Sequence, residues 1–400
     1  MVRVLDIRGW GSEWEAATGS QWAGVTTVDE PESSRTGPLF VSVTRSATKT
    51  SSSLKLFEDT AVRLGLISQP LTISTPALQK SVTMGSTLTK EEDFLRLLRH
   101  NVEDAQVVLM LALVPGLTTI RVDGMPPYPT LDWYHFLKKS TSALCRLREL
   151  YIHGHPHRDG RSLYTLSSAF LELAPGLERL HLEAVNLRAS RQVKRLLSEK
   201  KLRGFIALET EVGPSLLDTL LSGQRLTRFH YKPALGNMIE GQQEQYSEDR
   251  ILDSLKDSLQ SLRDLTLFSL RPSFSRRIAE CSKLKVLEMP YQHGFVTCPE
   301  ADSLDFAEAL RRRIPKSLYK LDLRFITPSG DVPIAMEALA DLKHQGELPN
   351  LRTIRLNFRQ YSSSPWFPPV PYDDMVFHAN ERFGGILRNA GLQLELAQTD

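Results

Sequence analysis

A chain of 400 residues that is 41% hydrophobic and 24% charged has globular composition and enough apolar mass for a large core. That length is expected to form two or three compact domains, or one elongated repeat array. The formal net charge of +2 excludes a strongly polyanion-seeking surface, and the only tight basic cluster is Arg311, Arg312 and Arg313. The three cysteines, Cys145, Cys281 and Cys298, are odd in number and widely spaced, which is neither a disulfide framework nor a zinc pattern.

The chain opens on "MVRVLDIRGWGSEW", charged and Trp-rich, without the apolar run of a secretion signal. Val2–Ile7 reads as a short strand. Residues 19–53 are rich in Ser and Thr and poor in large apolar side chains, and are expected to form a long loop or partly disordered insertion. Residues 1–87 are therefore expected to hold one repeat-like strand plus this insertion, and residues 88–400 an irregular repeat array with a C-terminal capping segment. The longest apolar run, Val107–Val114, is well short of the roughly 20 residues a membrane helix needs. With no secretion signal, no membrane-length apolar run and no Asn-x-Ser/Thr sequon, the expected location is the cytoplasm or nucleus.

From "LTTIRV" onward the chain repeats one hexamer, Leu-x-x-Φ-x-Φ, where Φ is apolar. Its first leucines are Leu117, Leu147, Leu177, Leu202, Leu226, Leu262, Leu284, Leu318 and Leu351, spaced 22 to 36 residues apart. The fourth and sixth positions lie two apart, so both point to one side of a strand, and the third, fifth and seventh point to the other. The "VRVLDI" start fits the same template, and "LQLEL" near the end reads as a closing strand. Helix-period segments fill the intervals, among them "EDAQVVLMLALV", "RQVKRLLSEKK", "SFSRRIAECSK" and "AMEALADLKHQG". Pro115-Gly116 and Pro175-Gly176 punctuate the step into a strand. The predicted fold is α/β, a leucine-rich-repeat solenoid in the form of an irregular horseshoe, with a parallel sheet on its concave face and helices on its convex face. An ordinary doubly wound α/β domain is the alternative, and it would show longer apolar strands without this grammar. The Pro-rich "YSSSPWFPPVPYDD" reads as a loop before a capping helix, with a ligand for an aromatic-lined groove as the alternative.

The run "VVLMLALVPGLTTIRV", followed by "LRELYI", "LERLHL" and "LPNLRTIRL", resembles the leucine-rich-repeat region of fungal F-box-like proteins, over roughly Leu88 to Leu396. The resemblance implies repeats that bind a substrate protein, beside an F-box that docks the adaptor of a ubiquitin ligase. No F-box motif is found in this chain, so direct adaptor docking is not expected. Many repeat families place Asn or Cys three residues after the strand. Here those positions hold Met125, His155, Val185, Thr210, Ala234, Leu270, Gln292, Ile326 and Arg359, which predicts variable loops rather than a uniform side-chain ladder.

The outward positions define a candidate partner-binding face: Arg121, Glu149, Tyr151, His153, Arg179, His181, Glu183, Arg228, His230, Lys232, Glu288, Lys320, Asp322, Arg324 and Arg355. Mixed charge with Arg and Tyr content suits a protein partner; a merely solvated sheet face is the alternative. "HGHPH", with His153, His155 and His157, raises a metal site, but Gly154 and Pro156 favour a turn and a four-ligand set is not in view. His153, His181 and His230 are a weaker candidate for acid sensitivity. No nucleotide-binding, serine-hydrolase or metalloprotease motif occurs, no nucleophile or general base is singled out, and no cofactor is implied. Nucleic-acid binding would want a basic domain with interleaved aromatics, which the charge balance disfavours. The expected function is non-enzymatic recognition of a protein, as a divergent ubiquitin-ligase substrate receptor or as a scaffold with no link to ubiquitin; an enzyme with an unrecognised site is the remaining alternative.

Overall fold

A computed structural model describes residues 3–7, 51–68, 89–99, 103–125, 133–140, 144–154, 164–166, 168–187, 191–234, 247–268, 276–290, 308, 310–326, 331–359, 381 and 383–399. The chain is α/β and divides into two compact units, Met1–Lys200 and Lys201–Asp400.

In the first unit, β1 (Val4–Ile7), β2 (Thr119–Met125), β3 (Glu149–Gly154) and β5 (Arg179–Glu183) lie side by side, all parallel. Two short strands, β4 (Tyr164–Thr165) and β6 (Val185–Leu187), pair with each other. The connections hold α1 (Ser51–Arg63), α2 (Lys90–Arg99), α3 (Glu103–Leu113), α4 (Trp133–Lys139) and α5 (Ser168–Leu173), and α6 (Arg191–Ser198) follows β6. The second unit sets β7 (Gly204–Val212), β8 (Arg228–Pro233), β9 (Asp264–Leu267), β10 (Val286–Pro290), β11 (Lys320–Ile326), β12 (Thr353–Arg359) and β13 (Gln393–Thr399) in sequential parallel order. Its helices include α7 (Pro214–Leu221), α8 (Glu248–Ser254) and α9 (Asp331–His344).

The hexamer explains this order. Every first leucine is buried, as are the fourth and sixth residues of every hexamer, from Ile120 and Val122 to Ile354 and Leu356. Parallel strands joined through helices bury one face against those helices, and each buried Leu or Ile contributes about 1.5–3 kcal/mol. The Pro115-Gly116 and Pro175-Gly176 steps are turns, as expected. Leu117, Leu147 and Leu177 each close such a turn by donating a backbone N–H to the residue three before. At Leu202 and Leu226 a side chain does this work instead: Gln224 Oε1 accepts from Leu202 N at 2.9 Å, and Ser258 Oγ from Leu226 N at 3.0 Å. At strand entry the backbone itself forms a ladder, in which the carbonyls of Thr118, Arg148, Thr227, Arg263, Lys285 and Tyr319 each accept two N–H groups from the next strand. That ladder joins neighbours without an Asn or Cys series.

Three local expectations are revised. The helix α1 begins at Ser51, inside the segment read as loop, and buries Ala61; residues 19–50 lie outside the described residues, as does the Pro-rich segment. The helix expected in "SFSRRIAECSK" is reduced to one 3-10 turn, Arg276–Ile278. The turn expected at His153-Gly154 is strand: β3 runs through Gly154, while His155 and His157 lie outside the described residues. Gly154 is needed there because a Cβ would stand 2.2 Å from the Ala184 carbonyl oxygen.

Candidate functional site

Strand register converts the outward hexamer positions into rows that run across neighbouring strands. In the first unit the fifth positions align as Asp6, Arg121, Tyr151 and His181. Beside this row run Thr119, Glu149 and Arg179 on one side, and Asp123, His153 and Glu183 on the other. Arg121, Asp123 and Arg179 are exposed; Glu149, Tyr151, His153, His181 and Glu183 are half-buried.

The row is held together by ring and charge contacts. The Arg121 guanidinium sits over the Tyr151 ring, 5.0 Å from its centroid, and the His181 ring centroid is 5.3 Å away on the next strand. Tyr151 donates its hydroxyl to Glu149 Oε2 at 3.2 Å, and Arg179 pairs with the other oxygen of Glu149. Burial, reinforced by the Glu149 charge, pushes the Tyr151 phenol above its ordinary value, so it stays a neutral donor at physiological pH. His153 Nδ1 lies 2.7 Å from Asp123 Oδ1. Asp6, Arg121, Asp123, Tyr151, His153, His181 and Glu183 line a shallow depression of about 300 Å³.

The second unit carries the corresponding row Ile206, His230, Thr266, Glu288, Asp322, Arg355 and Glu395. Its charges are paired across strands. Asp264 takes both Arg228 and His230, each at 2.9 Å. Burial pushes the Asp264 carboxyl up, but these two partners outweigh it and hold the group below the usual carboxylate value. Arg324 pairs with Glu288 and lies 5.9 Å from the Phe268 centroid, and Thr266 donates to Glu288 at 3.2 Å. Lys320 reaches Glu395 at 2.7 Å. Lys232 meets Glu209 at 2.7 Å. Glu209 stands at a bulge between β7 and β8 with φ of 49°. Asp322 is buried: it accepts from Asn357 Nδ2, and Arg355 stands 3.9 Å off. Its carboxyl is pushed up to about 6, chiefly by burial and then by the Glu288 charge.

The candidate residues thus fall into two groups. Arg121, Tyr151, His153, His181 and Glu183 line the first-unit depression, and Glu149 and Arg179 adjoin it through the Tyr151 hydroxyl and the Glu149 pair. Arg228, His230, Lys232, Glu288, Lys320, Asp322, Arg324 and Arg355 belong to the second-unit rows, where Asp322 is sealed off and the others are ion-paired or half-covered. Asp123, Asp264 and Asn357 also join these networks, and the same alternation picks them out as seventh or third positions of their hexamers. Glu209 carries no such signal, because a bulge breaks the period-2 pattern that would locate it. Cys281 is buried and its thiol is pushed up to about 12 by that burial, so it is inert. Among the described residues no cluster of three or more His, Cys, Asp or Glu is placed to hold a metal ion, and no helix is long and apolar enough to cross a membrane.

No protein-family model matches the chain, and no curated protein matches it.

Proposed function

We propose that this chain is a leucine-rich-repeat protein that recognises a protein partner, without catalysis, through the outward face of its first-unit strands. The observation that carries the reading is the Arg121–Tyr151–His181 row. It presents an arginine and two rings, half-exposed, around a depression. Tyr and Arg are, with Trp, the side chains enriched at interface hot spots: Tyr brings large contact area with few rotatable bonds, and Arg a planar guanidinium with five donors. The second-unit rows support a narrower role there: their charges already satisfy one another, so a partner would have to break pairs to use them.

The hexamer grammar, the sequential parallel strands and the helices in most of the intervals support the repeat assignment. The resemblance to fungal F-box-like proteins makes a ubiquitylation substrate the first partner class to examine, and pull-down with the ubiquitin-ligase adaptor separates that role from a scaffold.

The test is Tyr151→Ala. Affinity capture from cell extract with the wild-type chain as bait identifies the partner by mass spectrometry, and titration with that partner then compares the variant. Loss of an interface tyrosine of this kind costs about 2 kcal/mol, roughly 30-fold in Kd. The melting temperature should hold within a few degrees, because the ring is outside the core. Unchanged affinity would overturn the proposal.

A further inference from the structure

Strand entry in the second unit carries one sign of charge. The residue just before each of the strands β7 to β12 is, in order, Arg203, Thr227, Arg263, Lys285, Tyr319 and Arg352. The backbone ladder makes these residues direct neighbours: each carbonyl accepts the N–H of the next member at 2.7 to 2.9 Å. Two residues earlier stand Lys201, Arg225, Ser261, Lys283, Ser317 and Asn350. Neither row contains an acid, although the whole chain is almost balanced, with a formal charge of +2. All seven cations of the two rows are exposed. Spaced a repeat apart in sequence, they become a ridge only when the strands pair. In the first unit the same positions hold Arg3, Thr118, Arg148 and Glu178, and there Arg148 is neutralised by Glu178 at 2.9 Å.

The ridge charges are not spent on the fold. Among the described residues Arg225, Arg263, Lys283, Lys285 and Arg352 make no ion pair, and Lys285 reaches only the Ser317 carbonyl, at 3.4 Å. Lys343, which donates to the Pro349 carbonyl at 2.8 Å, has its ammonium held below the ordinary value by partial burial and then by the Arg352 charge. Cations here repel one another, and an arriving anion relieves that. The second observation is Tyr319. It is 52% exposed, one of the few large apolar side chains left in water, and it stands between Lys285 and Arg352. A ring set into a line of cations, with strands stepping about 4.8 Å apart over roughly 24 Å, suits a chain of phosphates carrying flat bases. An acidic peptide would use the cations and leave the ring idle.

We propose that this ridge binds a single strand of nucleic acid, the cations taking its phosphates and Tyr319 stacking on a base. The proposal lies in the second unit and does not depend on the first-unit row.

The experiment titrates the full chain into a fluorescein-labelled twenty-nucleotide oligouridine, read by anisotropy between about 50 and 200 mM salt. A parallel titration with oligothymidine DNA distinguishes DNA from RNA as the occupant. Lys285→Ala with Arg352→Ala should weaken binding about 10-fold or more and flatten the log–log salt slope by about 1.4, since each phosphate contact on a single strand adds about 0.7. Tyr319→Ala should weaken it about 5-fold or more and leave the slope unchanged, because stacking carries no charge. Lys55→Ala with Arg63→Ala, an equal loss of exposed charge on α1, should change affinity less than 2-fold if position rather than net charge matters. The inference is overturned if neither strand binds, or if the α1 variant loses as much as the ridge variant. It is also overturned if hexaglutamate competes as well as oligouridine while Tyr319→Ala behaves as wild type, which would make the ridge a dock for an acidic protein segment.

Discussion

Asp322 shows what an outward-facing carboxylate becomes when it is closed off from water. In alternation it is equivalent to Tyr151, yet Tyr151 is half-exposed and Asp322 is buried. Its carboxyl is pushed from 3.8 to about 6, and Arg324, Arg355 and Lys320 do not offset the burial and the Glu288 charge. Between those two values the folded chain holds a proton that the unfolded chain has released. Stability therefore falls as pH rises through this window, and above it the ionised Asp322 works against the fold by up to about 3 kcal/mol. Asp322→Asn keeps an oxygen to accept from Asn357 and removes the charge. The variant should be about 1–2 kcal/mol more stable than the wild type near neutral pH, and its stability should change less between about pH 4 and about pH 6. Urea unfolding across that range checks this; an unaltered slope would show that Asp322 is not the titrating group. Sequence alternation identifies which side of the sheet Asp322 is on. It does not convey exposure, which depends on Glu288, Arg355 and Asn357 from the two neighbouring strands.

At the scale of elements, the strands were legible and several helices were not. A strand needs only a leucine at entry and two apolar residues two apart, and this signal survives irregular spacing. Helix α1 was hidden because it begins in a Ser-rich run whose composition suggests loop. Helix α2 carries its start signal in the sequence. Thr89 N and Oγ1 donate to Glu92 Oε2, and Glu92 N donates back to Thr89 Oγ1, a capping box three residues apart. Glu91 of the same helix takes Lys139 of α4 at 2.6 Å and Ser68 N at 2.8 Å, tying α2 to the end of the segment before it.

The Arg311-Arg312-Arg313 cluster shows the same limit at element level. Read as a run of charge it is surface, and Arg311 and Arg312 do pair with Glu308 on their own helical turn. Arg313 faces inward, where it meets Glu248 in the first turn of α8 at 2.6 and 2.7 Å. Both side chains are almost wholly buried, at 8% and 1% exposure, so neither can find water if the other is removed. Arg313→Ala should cost about 3–5 kcal/mol, while the neighbouring exposed Arg312→Ala should cost under about 1 kcal/mol. Replacing both members with apolar residues of similar size, Arg313→Met with Glu248→Leu, should recover most of the loss. Chemical denaturation of the four proteins decides the matter. Equal effects at Arg312 and Arg313 would mean that the buried pair is not a structural link between these elements.

At the scale of the whole molecule, each strand draws stability from the strands it pairs with, and β1 of the first unit and β13 of the second have fewer of them. The core-facing residues of β1, Leu5 and Ile7, and those of β13, Leu394 and Leu396, are half-buried. Their counterparts in β3 and β8, such as Leu150, Ile152, Phe229 and Tyr231, are sealed to 1% or less. Among the described residues β1 pairs only with β2, and β13 only with β12. On the repeat reading proposed above, opening starts where a neighbour is missing, so local free energies should rise from β1 and from β13 toward the strands with two partners. Native-state hydrogen exchange should then show the amides of β1 and β13 exchanging at least ~100-fold faster than those of β3 and β8, a gap of about 3 kcal/mol or more in opening free energy. The comparison holds strand chemistry constant, because all four follow the same alternation, and varies only the number of neighbours. Uniform protection across the four would mean that each unit opens as a single cooperative block, and nearest-neighbour stacking would then not describe how this sequence holds its fold.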